Sequence, residues 1–387
     1  MCQKWFLNGE NMRIQRIAFV CSTYVQLMRV FQLKTTTETF YGDADLYLVH
    51  EMFNNEEFIA RLKSTKIFKN VYYFDVTEHK RAKLLFYIWG SKYKNVLRKY
   101  SYDKVVSFNV EEVISEALFN INKRNNGFEY HCIEDGPGAY EVYKPKNYGW
   151  LHIYKWLGIK KPFYNINKWW TGCPEYMEFP EGIDLNIVKL PNIDIKNYKL
   201  LEKLNFVFNY EEDSDLNKVD CLIMEESHYT DGLLPENDDF ILYKKIIKSY
   251  PNIKFAIKLH PRTKRNRFEN LVPTINNSSM PWELILWNRI ISEQPELFQL
   301  SIACATMTSD KFLFDYEGTK MLLANIFINK LKSIDGYMRV NKNTVAKYEK
   351  IKNLYKNPDK FMLPKNEEEM FRMLDILCIE KKMENRR

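Results

Sequence analysis

The chain has 387 residues, enough for two α/β domains of ordinary size. With 45% hydrophobic and 28% charged residues it has the composition of a globular protein, which excludes an intrinsically disordered chain. The net charge of +7 is modest and the basic residues are spread among acids, so the charge indicates an anionic lipid or a nucleotide phosphate as partner and gives no reason to expect nucleic-acid binding.

Strand-like and helix-like segments alternate along the first third of the chain. The apolar runs predict strands at 14–23, 44–50, 71–76, 104–109 and 128–133. Helical patterns lie between them at 24–33, 55–62, 82–100 and 111–122, and Asn54 is a candidate cap for the second helix. This alternation predicts a parallel sheet flanked by helices.

The strand at 128–133 ends on an acidic pair and a glycine. Glu134 and Asp135 are followed by Gly136, Pro137 and Gly138, which cannot continue a strand and force a tight exit. Ligands bind at the carboxyl edge of an open parallel sheet, so the two acids are candidates for acid–base chemistry or for holding substrate hydroxyls. The alternative is a solvated loop start.

The alternation lapses after Tyr140. Residues 141–170 contain nine aromatic residues, six lysines and a single acid. A segment of this kind is typical of an amphipathic helix in a lipid headgroup layer, and equally of an aromatic contact between domains or in a homodimer. We expect region 141–172 to provide one of these two surfaces.

A second set of alternating elements follows a predicted linker at 177–199. We expect strands at 221–224, 253–259 and 297–304, and helices at 238–249, 282–290 and 319–328. Helices from about residue 345 complete the chain. The predicted organisation is an N-terminal α/β domain over 1–195, a nucleotide-binding α/β domain over 196–340, and C-terminal helices over 341–387.

Polar residues also end the strands of this second domain. His260, Pro261 and Arg262 follow one strand, and the added positive charge around the imidazole suits a phosphate. An acidic, glycine-containing loop with Asp231 follows another strand, and the junction 303–309 supplies Thr306, Thr308 and Ser309, hydroxyls suited to a phosphate at a helix start. Each of these groups has a plainer interpretation, as a solvated turn or a helix cap.

These motifs resemble those of known enzymes. Glu134-Asp135-Gly136, and His260-Pro261 within the sequence KLHP, resemble the acidic and HP motifs of bacterial sialyltransferases. Cys21-Ser22-Thr23, followed by a helix that carries Gln26 and Leu27, resembles the opening of glycosyltransferase family 52, the lipooligosaccharide sialyltransferases. The bacterial polysialyltransferases also have the acidic and HP motifs, so the chain resembles them in these two motifs as well.

The resemblance implies a GT-B-like architecture, in which two Rossmann-like domains face each other across a cleft and C-terminal helices brace the pair. It implies an inverting transfer of sialic acid from CMP-sialic acid to a galactose-terminated glycan of a lipooligosaccharide or capsule, without metal or cofactor. Its alternatives are a polysialyltransferase and a family 52 enzyme with another nucleotide-sugar donor, such as a glucosyl donor. A membrane-surface binding protein without enzymatic activity is the alternative outside the family.

Each candidate residue has a role in this scheme. His260 is placed to offset charge or donate a proton at the departing phosphate, and Asp135 is the first choice of base for the acceptor hydroxyl. The resemblance favours Asp231 as the base, and both stay open. The remaining candidates are Glu134, Gly136, Cys21, Ser22 and Thr23 for substrate, and Lys258, Pro261, Thr306, Thr308 and Ser309 for the nucleotide phosphate.

Other features bear on metal use and location. Asp43-Ala44-Asp45 and Asp213-Ser214-Asp215 match the DxD form used by metal-dependent transferases, but the first pair stands at the beginning of its predicted strand instead of ending it, so we expect catalysis without metal. The seven cysteines show no metal spacing and are expected as small buried residues in a reducing compartment. No uncharged apolar run reaches the roughly 20 residues of a spanning helix, so we do not expect the chain to span a membrane. The family 52 resemblance implies a protein on the inner face of a bacterial cell membrane, bound to a lipid-linked acceptor.

Overall fold

The computed structural model describes residues 14–76, 91–136, 156, 158–179, 185–234, 237–263, 265–276, 279–328, 330–331 and 340–384. The chain divides into two compact units. Unit 1 comprises Met1–Ile133, Pro145–Thr171 and Ile183–Val188, and unit 2 comprises Glu134–Lys144, Gly172–Gly182 and Lys189–Arg387.

The first sheet has the strand order of a dinucleotide-binding domain. Its strands are β1 Arg16–Cys21, β2 Asp43–Leu48, β3 Asn70–Tyr73, β4 Lys104–Ser107, β5 Glu129–Ile133, β6 Lys168–Thr171 and β7 Ile187–Lys189. They lie in the order β3-β2-β1-β4-β5-β6-β7, and neighbours from β3 to β6 pair in parallel. Its first six strands follow the doubly wound Rossmann arrangement.

Helices of unit 1 cover this sheet, and polar side chains define where they begin. They are α1 Tyr24–Thr36, α2 Glu56–Ser64, α3 Ser91–Leu97 and α4 Val113–Asn122. Thr23 caps α1 by accepting a hydrogen bond from the Gln26 backbone N–H. The cap of α2 is Asn55, which accepts from the Phe58 N–H, and not Asn54 as the sequence predicted.

Unit 2 repeats the same design. Its strands are β8 Cys221–Met224, β9 Phe255–Lys258, β10 Phe298–Ser301, β11 Lys320–Leu322 and β12 Phe361–Met362, in the order β12-β11-β10-β8-β9 and paired in parallel. A parallel bridge from Ile257 to Thr274 adds a contact beyond β9. The chain order therefore reverses between β8 and β10, at the switch point of a doubly wound sheet.

Six helices are described in unit 2. They are α5 Tyr198–Phe208, α6 Asp238–Ser249, α7 Trp282–Ile291, α8 Thr306–Phe314, α9 Lys342–Lys352 and α10 Glu367–Glu384. The predicted strand at 221–224 and helix at 238–249 match the structure at both ends. None of the helices within the described ranges is long and apolar enough to cross a membrane.

The helix predicted at 319–328 is wrong. The structure has strand β11 over Lys320–Leu322 and a single 3-10 turn over Ala324–Phe327. Leucine, methionine and alanine favour a helix locally, but here the segment lies between β10 and β12, and its three strand residues are fully buried. Pairing on both sides therefore overrides the local preference.

Part of the aromatic segment belongs to the core of unit 1. Trp169 and Trp170 lie on β6 and are 4% and 5% exposed, so these two indoles are not available to lipid or to a partner. Trp156 and Tyr164 are exposed, and residues 141–155 and 157 lie outside the described residues. The predicted linker at 177–199 is also not wholly irregular, because it contains β7 and the first residues of α5.

The cysteines are distributed as the sequence predicted. Cys21, Cys132, Cys173 and Cys221 are buried in or beside strands, and Cys304 and Cys378 are partly buried. None of the six cysteines in the described part of the chain forms a disulfide bond. They act there as small apolar side chains.

Candidate functional site

The carboxyl edge of the unit 2 sheet brings three adjacent strand ends together, and two of them carry polar side chains. Glu225-Glu226-Ser227-His228 follow β8, Leu259-His260-Pro261-Arg262 follow β9, and Ile302-Ala303-Cys304-Ala305 connect β10 to α8. β8 lies between β9 and β10, so the three segments are neighbours. This edge at a switch point is where open α/β sheets bind ligands.

Glu225 fixes the turn that follows β9. Its Oε2 accepts hydrogen bonds from the His260 backbone N–H at 3.1 Å and from the Thr263 hydroxyl at 2.7 Å. Burial raises the pKa of the Glu225 carboxyl above its ordinary value, and these hydrogen bonds oppose that shift. The carboxylate therefore holds the HP turn in place.

His260 presents a neutral imidazole. Its Nδ1 accepts a hydrogen bond from the Arg262 backbone N–H at 3.1 Å, so the proton of the neutral ring sits on Nε2. Burial, followed by the nearby charge of Arg262, lowers the pKa of His260 to about 4. Near pH 7 the free protein therefore offers an uncharged N–H donor at this position.

A hydrogen-bonded network brings Asp231 to the HP turn. The Arg262 Nη2 lies 2.5 Å from the Ser227 hydroxyl and 3.0 Å from the Asp231 Oδ2. Ser227 in turn donates to Asp231 at 2.7 Å, and Gly232 turns the loop with a positive φ of 70°. The loop after β8 and the turn after β9 thus form one site that contains both Asp231 and His260.

A buried ammonium at the end of β9 interacts with a buried carboxyl at the start of α7. Lys258 ends β9 and is 8% exposed, and burial lowers the pKa of its ammonium to about 8. Glu283, in the first turn of α7, is 2% exposed, and burial raises the pKa of its carboxyl. Each group counteracts the shift of the other by charge attraction.

The hydroxyls at the start of α8 differ in their surroundings. The Thr308 hydroxyl is buried and donates to the Ala305 carbonyl at 2.9 Å, and the Ser309 hydroxyl donates to the Thr306 carbonyl at 2.7 Å. Both are therefore engaged with the helix itself. Thr306 is the first residue of the helix and is partly exposed.

The acidic pair after β5 divides into a buried and an exposed carboxylate. Glu134 is 8% exposed, and its Oε2 accepts a hydrogen bond from the Gly172 N–H at 2.9 Å. Asp135 is exposed, and Gly136 has a φ of 78°, which produces the predicted tight exit. The Glu134 carboxylate thus binds the backbone at Gly172, whereas the Asp135 side chain is exposed to solvent.

The residues that end β1 start the first helix. Cys21 is fully buried, and the Ser22 N–H donates to the Gln26 Oε1 at 2.6 Å. Together with the Thr23 cap, these bonds fix the junction between β1 and α1. Ser22 and Thr23 are partly exposed at the carboxyl edge of the first sheet.

The DxD matches are engaged in internal contacts. Asp45 is fully buried and pairs with the Arg16 guanidinium at 2.8 Å, and Asp43 pairs with Lys69 at 2.5 Å. Asp213 caps the 3-10 turn Ser214–Lys218. Within the described ranges no three His, Cys, Asp or Glu side chains are grouped as metal ligands.

Comparison with known proteins identifies the fold. No family model and no curated protein matches the chain. A structure from Listeria monocytogenes, assigned as a UDP-N-acetylglucosamine 2-epimerase, matches with a TM-score of 0.51 and 11% identity over 90% of each chain. The fold is GT-B-like.

Two further structures match more weakly. The UDP-N-acetylglucosamine 2-epimerase of Rickettsia bellii has 14% identity over 96% of this chain and 97% of its own, with a TM-score of 0.47. The E. coli heptosyltransferase WaaC with ADP-2-deoxy-2-fluoro heptose has 12% identity over 87% and 99%, with a TM-score of 0.36. At such identities the likeness concerns the fold alone, and the family 52 resemblance of the motifs stays a prediction.

The GT-B-like fold confirms the predicted class of two Rossmann-like α/β domains. Sequence reasoning did not single out Glu225, Glu226, His228 or Glu283, which line the same edge as His260. The run of Glu225, Glu226, Ser227 and His228 directly after an apolar strand was the available signal, since it repeats the pattern that drew attention to Glu134 and Asp135.

Proposed function

We propose that the chain is an inverting glycosyltransferase that uses a nucleotide sugar, and that its donor is CMP-sialic acid. The observation that carries the proposal is the network in which Arg262 joins the Asp231 loop to the HP turn at the carboxyl edge of the unit 2 sheet. It supplies a carboxylate, a guanidinium and an imidazole N–H within one ligand-binding edge. The motif resemblance supports sialic acid as the transferred sugar.

The leaving group requires a hydrogen-bond donor and positive charge. When the bond from the sugar to the phosphate oxygen breaks, its electron pair stays on that oxygen and negative charge develops there. The Nε2–H of His260 donates to this oxygen, while Arg262 and the buried Lys258 supply positive potential. The positive end of the α8 dipole, with Thr306 at the first position of the helix, adds to this potential.

The acceptor hydroxyl loses its proton as its oxygen bonds to the sugar. Asp231 is the base that we favour, because it shares the Arg262 network with the turn of His260. Asp135 remains the rival, since its exposed carboxylate is open to an incoming hydroxyl. The two assignments predict different mutant phenotypes.

The acceptor follows from the same resemblance. We propose a galactose-terminated, lipid-linked glycan of a lipooligosaccharide or capsule, reached by a protein that lies on the inner face of the cell membrane. The exposed Trp156, 84% accessible within a lysine-rich segment, supports contact with a lipid surface. The same segment is the proposed contact of a homodimer.

The test is CMP release from CMP-sialic acid with a panel of galactosides and EDTA. His260→Ala and Asp231→Asn are expected to lower kcat by roughly 100-fold or more, because the first removes a hydrogen-bond donor to the departing phosphate oxygen and the second removes a general base. Asp135→Asn is expected to change kcat far less. Asp215→Asn, which changes an exposed unit 2 carboxylate that pairs with Lys218, is the matched control.

The outcomes separate the alternatives. Loss of transfer in Asp135→Asn, with Asp231→Asn active, would assign the base to Asp135. Chains of several sialic acids in the product would indicate a polysialyltransferase, and turnover of a UDP-sugar in place of CMP-sialic acid would replace the donor. Lipid vesicle binding without turnover of any nucleotide sugar would contradict the enzyme proposal.

A further inference from the structure

Glu226 and His228 form a buried polar pair that the scheme above does not use. One carboxylate oxygen of Glu226, Oε1, accepts from the Ser301 hydroxyl at 2.9 Å and from the Ala303 N–H, and so ties β8 to β10. The other, Oε2, approaches the His228 Nε2 to 3.3 Å without hydrogen-bond alignment. The side chains of Glu226 and His228 are only 7% and 9% exposed.

Three polar atoms of this pair lack hydrogen bonds. Within the described part of the chain, neither ring nitrogen of His228 nor the Glu226 Oε2 has a hydrogen-bond partner. A neutral imidazole has one N–H donor and one acceptor nitrogen, so the pair offers one unmet donor and two unmet acceptors. Each buried polar group without a hydrogen bond destabilises the folded state by about 1–3 kcal/mol. Such groups are rare in native proteins, so their presence here requires an explanation.

The position of the pair indicates where the missing partners come from. Glu226 and His228 follow β8 at the switch point between β8 and β10, the crevice where ligands bind in open α/β sheets. His228 also lies close enough to His260 to influence its titration. The unmet groups therefore belong to the same ligand-binding edge as the HP turn.

The chemistry of the unmet groups selects the ligand. An anion against the Glu226 Oε2 would meet a carboxylate of like charge, which disfavours a phosphate at this point. A hydroxyl both donates and accepts, so one hydroxyl can donate to the Glu226 Oε2 while a neighbouring one pairs with the imidazole. Neighbouring hydroxyls of a sugar satisfy the pair without adding charge.

We propose that Glu226 and His228 bind neighbouring sugar hydroxyls of the nucleotide-sugar donor. This inference rests on the proposed function and deepens it. Two parts of the donor can supply such hydroxyls, the ribose of the nucleotide and the transferred sugar. Glu226 is suited to this contact because its Oε1 is already fixed by Ser301 and Ala303, which leaves Oε2 in a constant position.

The test compares matched ligands in matched variants by isothermal titration calorimetry. The ligands are CMP, 2′-deoxy-CMP, 3′-deoxy-CMP and CMP-sialic acid, and the variants are Glu226→Gln and His228→Gln. Glu226→Gln keeps the acceptor that faces the Ala303 N–H and replaces Oε2 by an amide donor. Asp215→Asn is the control, because it changes an exposed carboxylate on the turn that precedes β8, at the opposite end of that strand from Glu226.

If the ribose is the ligand, wild-type protein binds CMP roughly tenfold or more tightly than a deoxy analogue, because the analogue leaves a buried group unpaired. That ratio falls to within about threefold in Glu226→Gln and His228→Gln and persists in Asp215→Asn. If the transferred sugar is the ligand, the deoxy ratios stay near one, and the ratio of CMP-sialic acid to CMP affinity falls in the two variants instead. Both patterns support the proposal.

Other results overturn it. Ratios that do not change in either variant, or a uniform weakening of all four ligands, would mean that the pair serves the fold alone while the transferase proposal stands. If wild-type protein binds no cytidine nucleotide, the donor proposal fails, and the same ratios measured with UDP and 2′-deoxy-UDP decide the role of the pair. Absence of binding to either nucleotide overturns both proposals.

Discussion

Asp45 provides the sharpest test of whether the DxD sequence Asp43-Ala44-Asp45 is structural. Its carboxylate is fully buried and accepts hydrogen bonds from Arg16 at 2.8 Å, from Asn70 at 2.8 Å and from the Tyr102 hydroxyl at 2.6 Å. Asp45→Asn removes the negative charge and replaces one acceptor oxygen by an amide N–H group, which faces the donors of these neighbours. We expect this change to destabilise unit 1 while leaving no metal-dependent defect.

The size of the effect follows from burial. Removing one partner of a buried, hydrogen-bonded ion pair costs about 3 kcal/mol or more, because the other groups lose their partner. For a unit of this size that loss lowers Tm by roughly 6–12 °C. Asp43→Asn is the control, since Asp43 and Lys69 have side chains 41% and 55% exposed, and such a surface pair contributes about 1 kcal/mol or less.

Thermal denaturation followed by circular dichroism measures both variants, and CMP release with EDTA or Mn²⁺ is measured on the same samples. The expected result is a large Tm decrease for Asp45→Asn and a small one for Asp43→Asn, with transfer in both insensitive to Mn²⁺. Three results together would refute the structural assignment. The Tm values would be unchanged in both variants, both substitutions would abolish transfer, and transfer by wild-type protein would depend on added Mn²⁺.

Three further predictions concern pH, backbone and membrane contact. The pKa of His260 falls from 6.5 to about 4 on folding, so the unfolded chain binds more protons between these values and wild-type protein loses stability as pH falls from 6.5 towards 4. His260→Gln is expected to show a shallower decline of Tm over that window, and parallel declines would contradict this. Gly42→Ala is expected to lower unfolding free energy by about 2 kcal/mol or more, because Gly42 has a φ of 128° and a Cβ there would lie 2.5 Å from the Gln15 carbonyl oxygen. Gly127→Ala, at a φ of 73° with open space, is expected to cost less in urea denaturation, and equal costs would argue against the steric reason. Trp156→Ser is expected to weaken sedimentation with anionic vesicles, and unchanged sedimentation would mean that this indole does not contact lipid.

Local pattern was enough to predict much of the fold. Apolar runs of strand length and helical periodicity are properties of neighbouring residues, and they located β8 and α6 at their observed bounds. The same pattern failed at β11, where Lys320–Leu322 is fully buried between two strands. It failed again at Trp169 and Trp170, whose burial depends on the neighbouring strand β5.

The candidate site was predictable only in part. A polar run directly after an apolar strand drew attention to Glu134, Asp135 and His260, because strand ends are visible in sequence. Glu226 and His228 also follow an apolar strand directly, but this pattern does not predict that their side chains form a buried pair. Their unmet hydrogen-bonding groups exist only because Ser301 and Ala303, some 75 and 77 residues away, occupy the other side of the Glu226 carboxylate.

The amino-acid sequence by itself determined the alternation of strands and helices, the glycine turns that stop the strands, and the absence of long apolar spans, since each depends on residues close together in the chain. The tertiary structure alone decided which polar side chains share an edge of the sheet. Parallel pairing places the ends of β8, β9 and β10 side by side although they are far apart in the sequence, and so joins Asp231 to Arg262 beside His260. Burial then lowered the pKa of His260, which no local pattern specifies.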